Sequence, residues 1–283
     1  MALGDKPFVG SEALANGFVR KHELRSHYRT IFPDVYVAKD AELTLHQRAV
    51  AGWLWSHRYG VIAGLTASAL HGSKWVDECE PIELIWQNAR RPPGLRTYDM
   101  RLRAGEYDQV EGLPVTTPER TAFDIGRQGR LDRAVARLDA LGNATGFKVA
   151  DVFRLAVEHP RLRGLRQLQT ALSLYDPGAA SPKETWLRLL VIRAGFPRPQ
   201  TQIPVLSPDG LRQYYLDMGW EDIKLAVEYD GDQHRVDPVQ FAYDVRRLED
   251  LHELSWMDVR VTARHHPADV LQRLRRAWDS RTR

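Results

Sequence analysis

Apolar residues recur at two different spacings along this chain, and the spacings divide it into segments. LTLHQRAVAGWLWSHR, opened by Thr44 with Gln47 three residues later, has the capping box and apolar spacing of a helix. PIELIW and GLRTYDMRL have the make-up of strands, with NARRPPG as the loop between them. Thr117 caps a helical stretch with Pro118 at its first position, and further helices are predicted over 131–141, 148–158 and 165–174. After YDPGAASP the order becomes regular. SPKETWLRLLVIRAG sets Leu187, Leu190, Val191 and Ala194 on one helical face and stops at Gly195 and Pro197. QIPVL, QYYLDMGW and KLAVEYD are predicted strands. DPVQFAYDVRRLEDLHEL is a predicted helix capped by Asp237 with Pro238 at its first position. DVRVT is a strand and HPADVLQRLRRAW a final helix.

The first forty residues predict two short helices, near Ser11–Asn16 and Arg20–Ser26, separated by a turn at Gly17. A hairpin follows, Ile31-Phe32 with Val35-Tyr36-Val37, turned at Pro33-Asp34. That is the order of a small winged helix, from which Arg20, Lys21, Arg25 and Arg29 can meet phosphates. The expected fold is therefore α/β, mixed α+β overall, in three parts. Residues 1–43 are winged-helix-like, 44–176 form a mixed α/β middle domain, and 177–283 form an α-β-β-β-α-β-α core. The middle part carries no catalytic constellation; His57 and His71 stand among apolar residues and read as packed, so it reads as scaffold.

Composition narrows the class. A chain of 283 residues, 43% hydrophobic and 27% charged, has the composition of an ordinary globular protein of two or three domains. No apolar run approaches the roughly 18 residues of a membrane helix, and MALGDKPFVG lacks the apolar core of a secretory signal. The expectation is a cytoplasmic protein without a membrane partner. Cys79 is alone, which excludes an intrachain disulfide and a cysteine-rich zinc site. The net charge of +3 says little, but its distribution is uneven: residues 215–255 hold eleven acids against four bases, with basic segments on either side. An acidic patch between basic segments suits a metal site beside a polyanion surface.

The acids concentrate in LAVEYDGDQHR, residues 225–235. If the hairpin is symmetric about Asp222-Ile223, paired residue numbers sum to 445, which sets Asp217 opposite Glu228 and Tyr215 opposite Asp230. Opposed side chains have Cβ atoms about 4.5–5.5 Å apart, and like charges there destabilise a sheet. Alternation places Asp217, Glu228 and Asp230 on one face and Leu225, Val227 and Tyr229 on the other. A divalent cation reverses the sign of that repulsion, and oxygen ligands favour Mg²⁺ or Mn²⁺. Glu184 has two readings, a cap bonding back to Ser181 or a helix acid reaching the metal. His234, just beyond the strand, can take a proton or hold a phosphate. Asp244 and Arg247 have the spacing of a surface ion pair. If their helix packs over the sheet, Arg246 or Arg247 instead orients an acid or binds phosphate.

SPKE at 181–184, LDMGW at 216–220, VEYDGDQH at 227–234, YDVRRLEDL and DVRVT together resemble the PD-(D/E)xK nuclease superfamily. The branch they resemble most is that of the very-short-patch repair endonucleases, over roughly residues 178–283. The resemblance implies a restriction-endonuclease-like core, Asp217 and Glu228 as metal ligands, Glu184 as the helix acid and His234 as an assistant in phosphodiester hydrolysis. Asp230 stands where the general motif has lysine, a lysine that this branch commonly lacks. GLTASALHG and EGLPVTTPERTAFDI more faintly resemble the antitoxins of abortive-infection type IV systems, which implies operator binding by Arg20, Lys21 and Arg25. The combined expectation is a Mg²⁺-dependent DNA endonuclease or nickase of repair or phage defence. In it Asp217, Glu228 and the Tyr229 carbonyl hold the ion, and Arg246 and Arg247 join the DNA contacts. A homodimer or a toxin-like partner fits the same picture. The alternative is a catalytically inactive DNA-binding regulator of antitoxin type.

Overall fold

The computed structural model describes residues 5–87, 90–231 and 238–282, the side chains of 238–242 excepted. The chain forms two compact units, Met1–Gly129 with Ala144–Thr170, and Arg130–Asn143 with Ala171–Arg283. The fold is mixed α and β, with three separate sheets. Among the described residues no helix is long and apolar enough to cross a membrane.

The first unit begins with β1 (Phe8–Val9), α1 (Gly10–Ala15), α2 (Lys21–His27), β2 (Tyr28–Phe32) and β3 (Val35–Ala38). Gly17 makes the turn between the helices at φ +69°, where a side chain would be strained. The strands form a small sheet in the order β1-β3-β2. Ala13, Val19 and Leu24 give the helix pair its own minor core. Phe32 and Val35 instead join Ala49, Leu54 and Leu84 in the larger core behind them.

That larger core is built from α3 (Leu45–Trp55), β4 (Val61–Ile62), α4 (Gly64–Leu70), β5 (Ile82–Ile85), β6 (Leu95–Tyr98), β7 (Tyr107–Val110), β8 (Leu113–Thr116) and α5 (Pro118–Gly126). The Thr44–Gln47 capping box is present: Gln47 N donates to the Thr44 hydroxyl at 3.2 Å, and Thr44 N to Gln47 Oε1 at 2.9 Å. Five strands line up as β6-β5-β4-β8-β7. Three of them, β4, β7 and β8, were not read from the sequence: β4 has two residues, and β7, Tyr-Asp-Gln-Val, is mostly exposed and lacks an apolar face. His71 is half-buried and bonded to the Thr116 carbonyl oxygen at 2.7 Å. His57, expected to pack, is exposed in the turn after α3 at φ +55°; the neighbouring apolar residues face inward while the turn points it out.

Sequence reading missed a buried ionic network in this unit. Arg120, fully buried, pairs with Glu106 and, through Nε at 2.8 Å, with Asp124. Arg127 reaches Asp124 from the other side at 2.9 Å, and His159, just beyond α7 (Val149–Glu158), lies 2.5 Å from Glu106. Burial pushes the Glu106 carboxyl up, but hydrogen bonding to His159 and the charge of Arg120 hold it below its ordinary 4.5. A depressed folded-state value stabilises above the unfolded value and is lost as pH falls through it. Stability should therefore fall as pH drops below about 4.5, and Glu106→Gln should flatten that limb of an acid-unfolding curve followed by circular dichroism.

The second unit holds α9 (Pro182–Arg193), β9 (Gln200–Leu206), β10 (Gln213–Trp220), β11 (Leu225–Asp230), α10 (Pro238–Glu253), β12 (Met257–Thr262) and α11 (Pro267–Thr282), with residues 131–143 of α6 (Leu131–Thr145) and 171–174 of α8 (Leu165–Leu174). The unit does not begin at the Pro- and Gly-rich segment expected to separate domains. The reason is buried: Asp139 of α6 accepts from Arg188 Nη2 at 2.6 Å, Thr185 Oγ1 at 2.8 Å and Asp176 N at 2.8 Å. A loop-composition argument cannot see a charge pair of this kind.

The sheet runs β12-β11-β10-β9, antiparallel except for the parallel β11–β12 pair. Met218 pairs with Val227, Gly219 with Ala226 and Trp220 with Leu225, the register whose numbers sum to 445. Gly219 permits the close approach, since a Cβ there would lie 2.3 Å from the Leu225 carbonyl oxygen. One face packs Met218, Trp220, Leu225 and Val227 against Leu187, Val191, Val270 and Leu274 of α9 and α11. The other packs Tyr214, Leu216 and Ala226 with Leu251 of α10 and Trp256.

Candidate active site

Leu216 and Met218, two residues apart on β10, belong to opposite faces of the sheet. A regular strand returns to the same face every second residue, so the alternation breaks at Asp217. The β10–β11 ladder ends at the same point, its last pair being Met218 with Val227. Asp217 therefore does not simply face Glu228 across a continued ladder. Its carboxylate oxygen Oδ2 accepts from Tyr229 N at 2.8 Å, holding β11 through a backbone amide. Burial, then the charge of Glu184, and more weakly that of Glu228, push the Asp217 carboxyl up to about 7, against the pull of the Tyr229 amide. The like charge that weighs most at Asp217 is that of Glu184, not of the strand neighbours Glu228 and Asp230 that the sequence pointed to.

Glu228 is buried and faces α10. Arg247 holds it with both terminal nitrogens, Nη1 at 3.0 Å from Oε2 and Nη2 on Oε1. Arg247 also donates to the Tyr215 carbonyl oxygen at 3.2 Å. Of the two readings given for this arginine, the structure has the one in which its helix lies over the sheet. Arg246, one residue earlier, is exposed.

Parallel pairing adds two residues that the sequence reading did not single out. Arg260 pairs in register with Glu228, and Asp258 with Ala226. Arg260 Nε lies 3.9 Å from Glu228 and 2.8 Å from Asp258. Burial and the charge of Glu228 raise the Asp258 carboxyl, and its buried Oδ1 has no hydrogen-bond partner among the described residues. The available signal was the alternation in MDVRVT, which puts Asp258 and Arg260 on one face of a strand beside an acidic one.

Glu184 is buried in the first turn of α9. It caps, but not as expected: Oε2 accepts from Ala180 N at 2.8 Å rather than from the Ser181 amide, and Oε1 accepts from the Ser181 hydroxyl at 2.9 Å. Its charge is still felt at Asp217, so capping and site membership are compatible. Asp230 is half-buried and lines, with Asp217, Glu228, Arg247 and Arg260, a cleft of about 340 Å³. His234 and Asp237 lie outside the described residues.

Among the described residues no three His, Cys, Asp or Glu side chains are grouped closely enough to cage a metal ion. The expected donor set is smaller, two carboxylates and the Tyr229 carbonyl, and its chemistry fits a hard divalent cation. The donors are all oxygen, and an acid forced up to about 7 gains from a nearby positive charge; both Glu228 oxygens are held by Arg247, so an ion there would have to displace it from at least one of them. In the first unit Lys21, His22, Arg25 and Ser26 line a shallow groove on α2, and Arg20 is exposed just before it.

No family model matches the chain. Two uncharacterized proteins of Mycobacterium tuberculosis, MT2308 of strain CDC 1551 and Rv2248 of strain H37Rv, are each 27% identical to it over 248 residues, spanning 87% of this chain and 90% of theirs. The crystal structure of the RV2827C protein from Mycobacterium tuberculosis superposes with a TM-score of 0.42 at 14% identity, over 72% of this chain and 84% of that one.

Proposed function

We propose that the chain is a metal-dependent DNA endonuclease or nickase of the PD-(D/E)xK type. The observation that supports this most is Asp217 at the end of the β10–β11 ladder, bonded to the Tyr229 amide beside Glu228 and Arg247. A purely structural hairpin gains nothing from a half-buried acid pushed up to about 7 by burial and by the charges of Glu184 and Glu228. Asp217, Glu228 and the Tyr229 carbonyl would hold Mg²⁺ or Mn²⁺, which when bound activates water as a nucleophile and clamps a phosphate oxygen. Arg247 and Arg260 supply the positive charge that the missing motif lysine would bring, orienting Glu228 and facing the substrate phosphate. Asp230 borders the cleft, and His234 is the proposed proton acceptor. Supercoiled plasmid and single-stranded circles incubated with Mg²⁺ or Mn²⁺ should yield nicked or linear product, and EDTA should stop the reaction. DNA left intact under all of these conditions removes the reading.

A second reading, a DNA-binding regulator of antitoxin type, is favoured by the exposed basic face of α2. It predicts duplex binding indifferent to the acids. Arg20→Ala, Lys21→Ala and Arg25→Ala should each weaken it across sequences and lower the salt slope by about one. Anisotropy titrations at several salt concentrations measure this.

A further inference from the structure

The walls of the cleft carry rings as well as charges. Tyr215 is 54% exposed and Tyr243 44% exposed, and both line the same cleft as Asp217 and Glu228. Tyr243 is nonetheless held in place. Its ring meets that of Tyr214 edge to face, with centroids 6.0 Å apart, and the buried Tyr214 is anchored through its hydroxyl to Asp250 at 2.6 Å. Tyr243 and Arg247 stand four residues apart on α10, which sets them one above the other on one face of the helix. Arg247 is committed to Glu228 and the Tyr215 carbonyl, so it fixes this wall of the cleft while the two rings stay open to a nucleobase. Core packing explains the buried Tyr214 but not the two exposed rings beside it.

From this we infer that the site takes an unpaired DNA strand, with Tyr243 as the stacking platform for a base and Tyr215 as a second ring. The inference rests on the nuclease reading and narrows its substrate. Bases in an intact duplex have their faces covered by their neighbours, so only a single-stranded, frayed or extruded base can lie on these rings. Stacking tolerates every base, so the preference is for strandedness rather than sequence.

The test uses the full-length protein with Ca²⁺ in place of Mg²⁺, and two fluorescein-labelled probes, a 12-nucleotide single strand and the corresponding blunt duplex. Tyr243→Leu should weaken single-strand binding at least about fivefold while leaving duplex binding within about twofold. Tyr243→Phe, which keeps the ring, should restore the wild-type value, and Tyr215→Ala should repeat the loss in weaker form. Equal weakening of both probes, or of neither, overturns the inference, as does failure of the wild type to bind the single strand. The two readings fail separately. Ring-dependent single-strand binding without cutting in Mg²⁺ or Mn²⁺ sinks the hydrolase and spares the platform. Cutting that is unaffected by Tyr243→Leu does the reverse.

Discussion

Asp217→Asn should leave a folded, more stable and inactive protein. Asparagine keeps the shape and an oxygen that can accept from the Tyr229 amide, so the β10–β11 join survives. It removes a negative charge that burial, Glu184 and Glu228 all oppose. The folded-state value of about 7 lies above the ordinary 3.8, so the stability linked to the protonated form is complete below the ordinary value and lost as pH rises through about 7. At pH 8, without metal, the asparagine variant should therefore gain on the order of 2 kcal/mol in urea unfolding. Metal-dependent cutting should fall by at least about a hundredfold, and the calorimetric heat of Mn²⁺ binding should disappear. A merely structural acid gives the opposite pairing, lost stability with unchanged metal binding. A variant that still cuts would end the assignment of Asp217.

The largest loss of stability is expected at Arg120→Met. The methionine fills much of the space but removes the cation that Glu106 and Asp124 share, leaving Asp124 with Arg127 and Glu106 with His159 alone. Breaking a buried pair from one side costs about 3–5 kcal/mol, a large part of a domain's total. The urea midpoint of the first unit should drop with little change in slope. Adding Glu106→Gln should recover part of the loss, because it removes the buried acid left facing only His159. An unfolding free energy within about 0.5 kcal/mol of wild type would show that water reaches the pocket and solvates the acids.

These two sites differ in how visible they were beforehand. The acid pair could be read because a hairpin carries its geometry locally: the turn at 221–224 fixed the register, and with it the approach of Asp217 to Glu228. What the register could not show was the break at Asp217, which depends on Leu216 and Met218 packing against different helices. The partner of Glu228 was left open because Arg247 sits near Asp244 in sequence, and only the docking of α10 settles where it points. Asp258 and Arg260 were missed for a related reason, since a parallel neighbour is not adjacent in the chain. Arg120, Asp139 and Arg188 resemble ordinary surface charges on amphipathic helices, and their burial follows from packing that no local pattern encodes. The capping of Glu184 was foreseen in kind but displaced by one residue, to the amide of Ala180.

The hairpin also bears on how the acids are covered. Asp217 and Glu228 lie 11 positions apart, close enough to meet by local pairing, whereas Arg247 arrives from a helix 19 positions beyond Glu228. The two acids therefore belong to one hairpin, and the cation over Glu228 belongs to a separate helix, so the docking of α10 covers a liability as well as burying Leu251. Loosening of α10 would expose the acids while the hairpin that carries them stays paired.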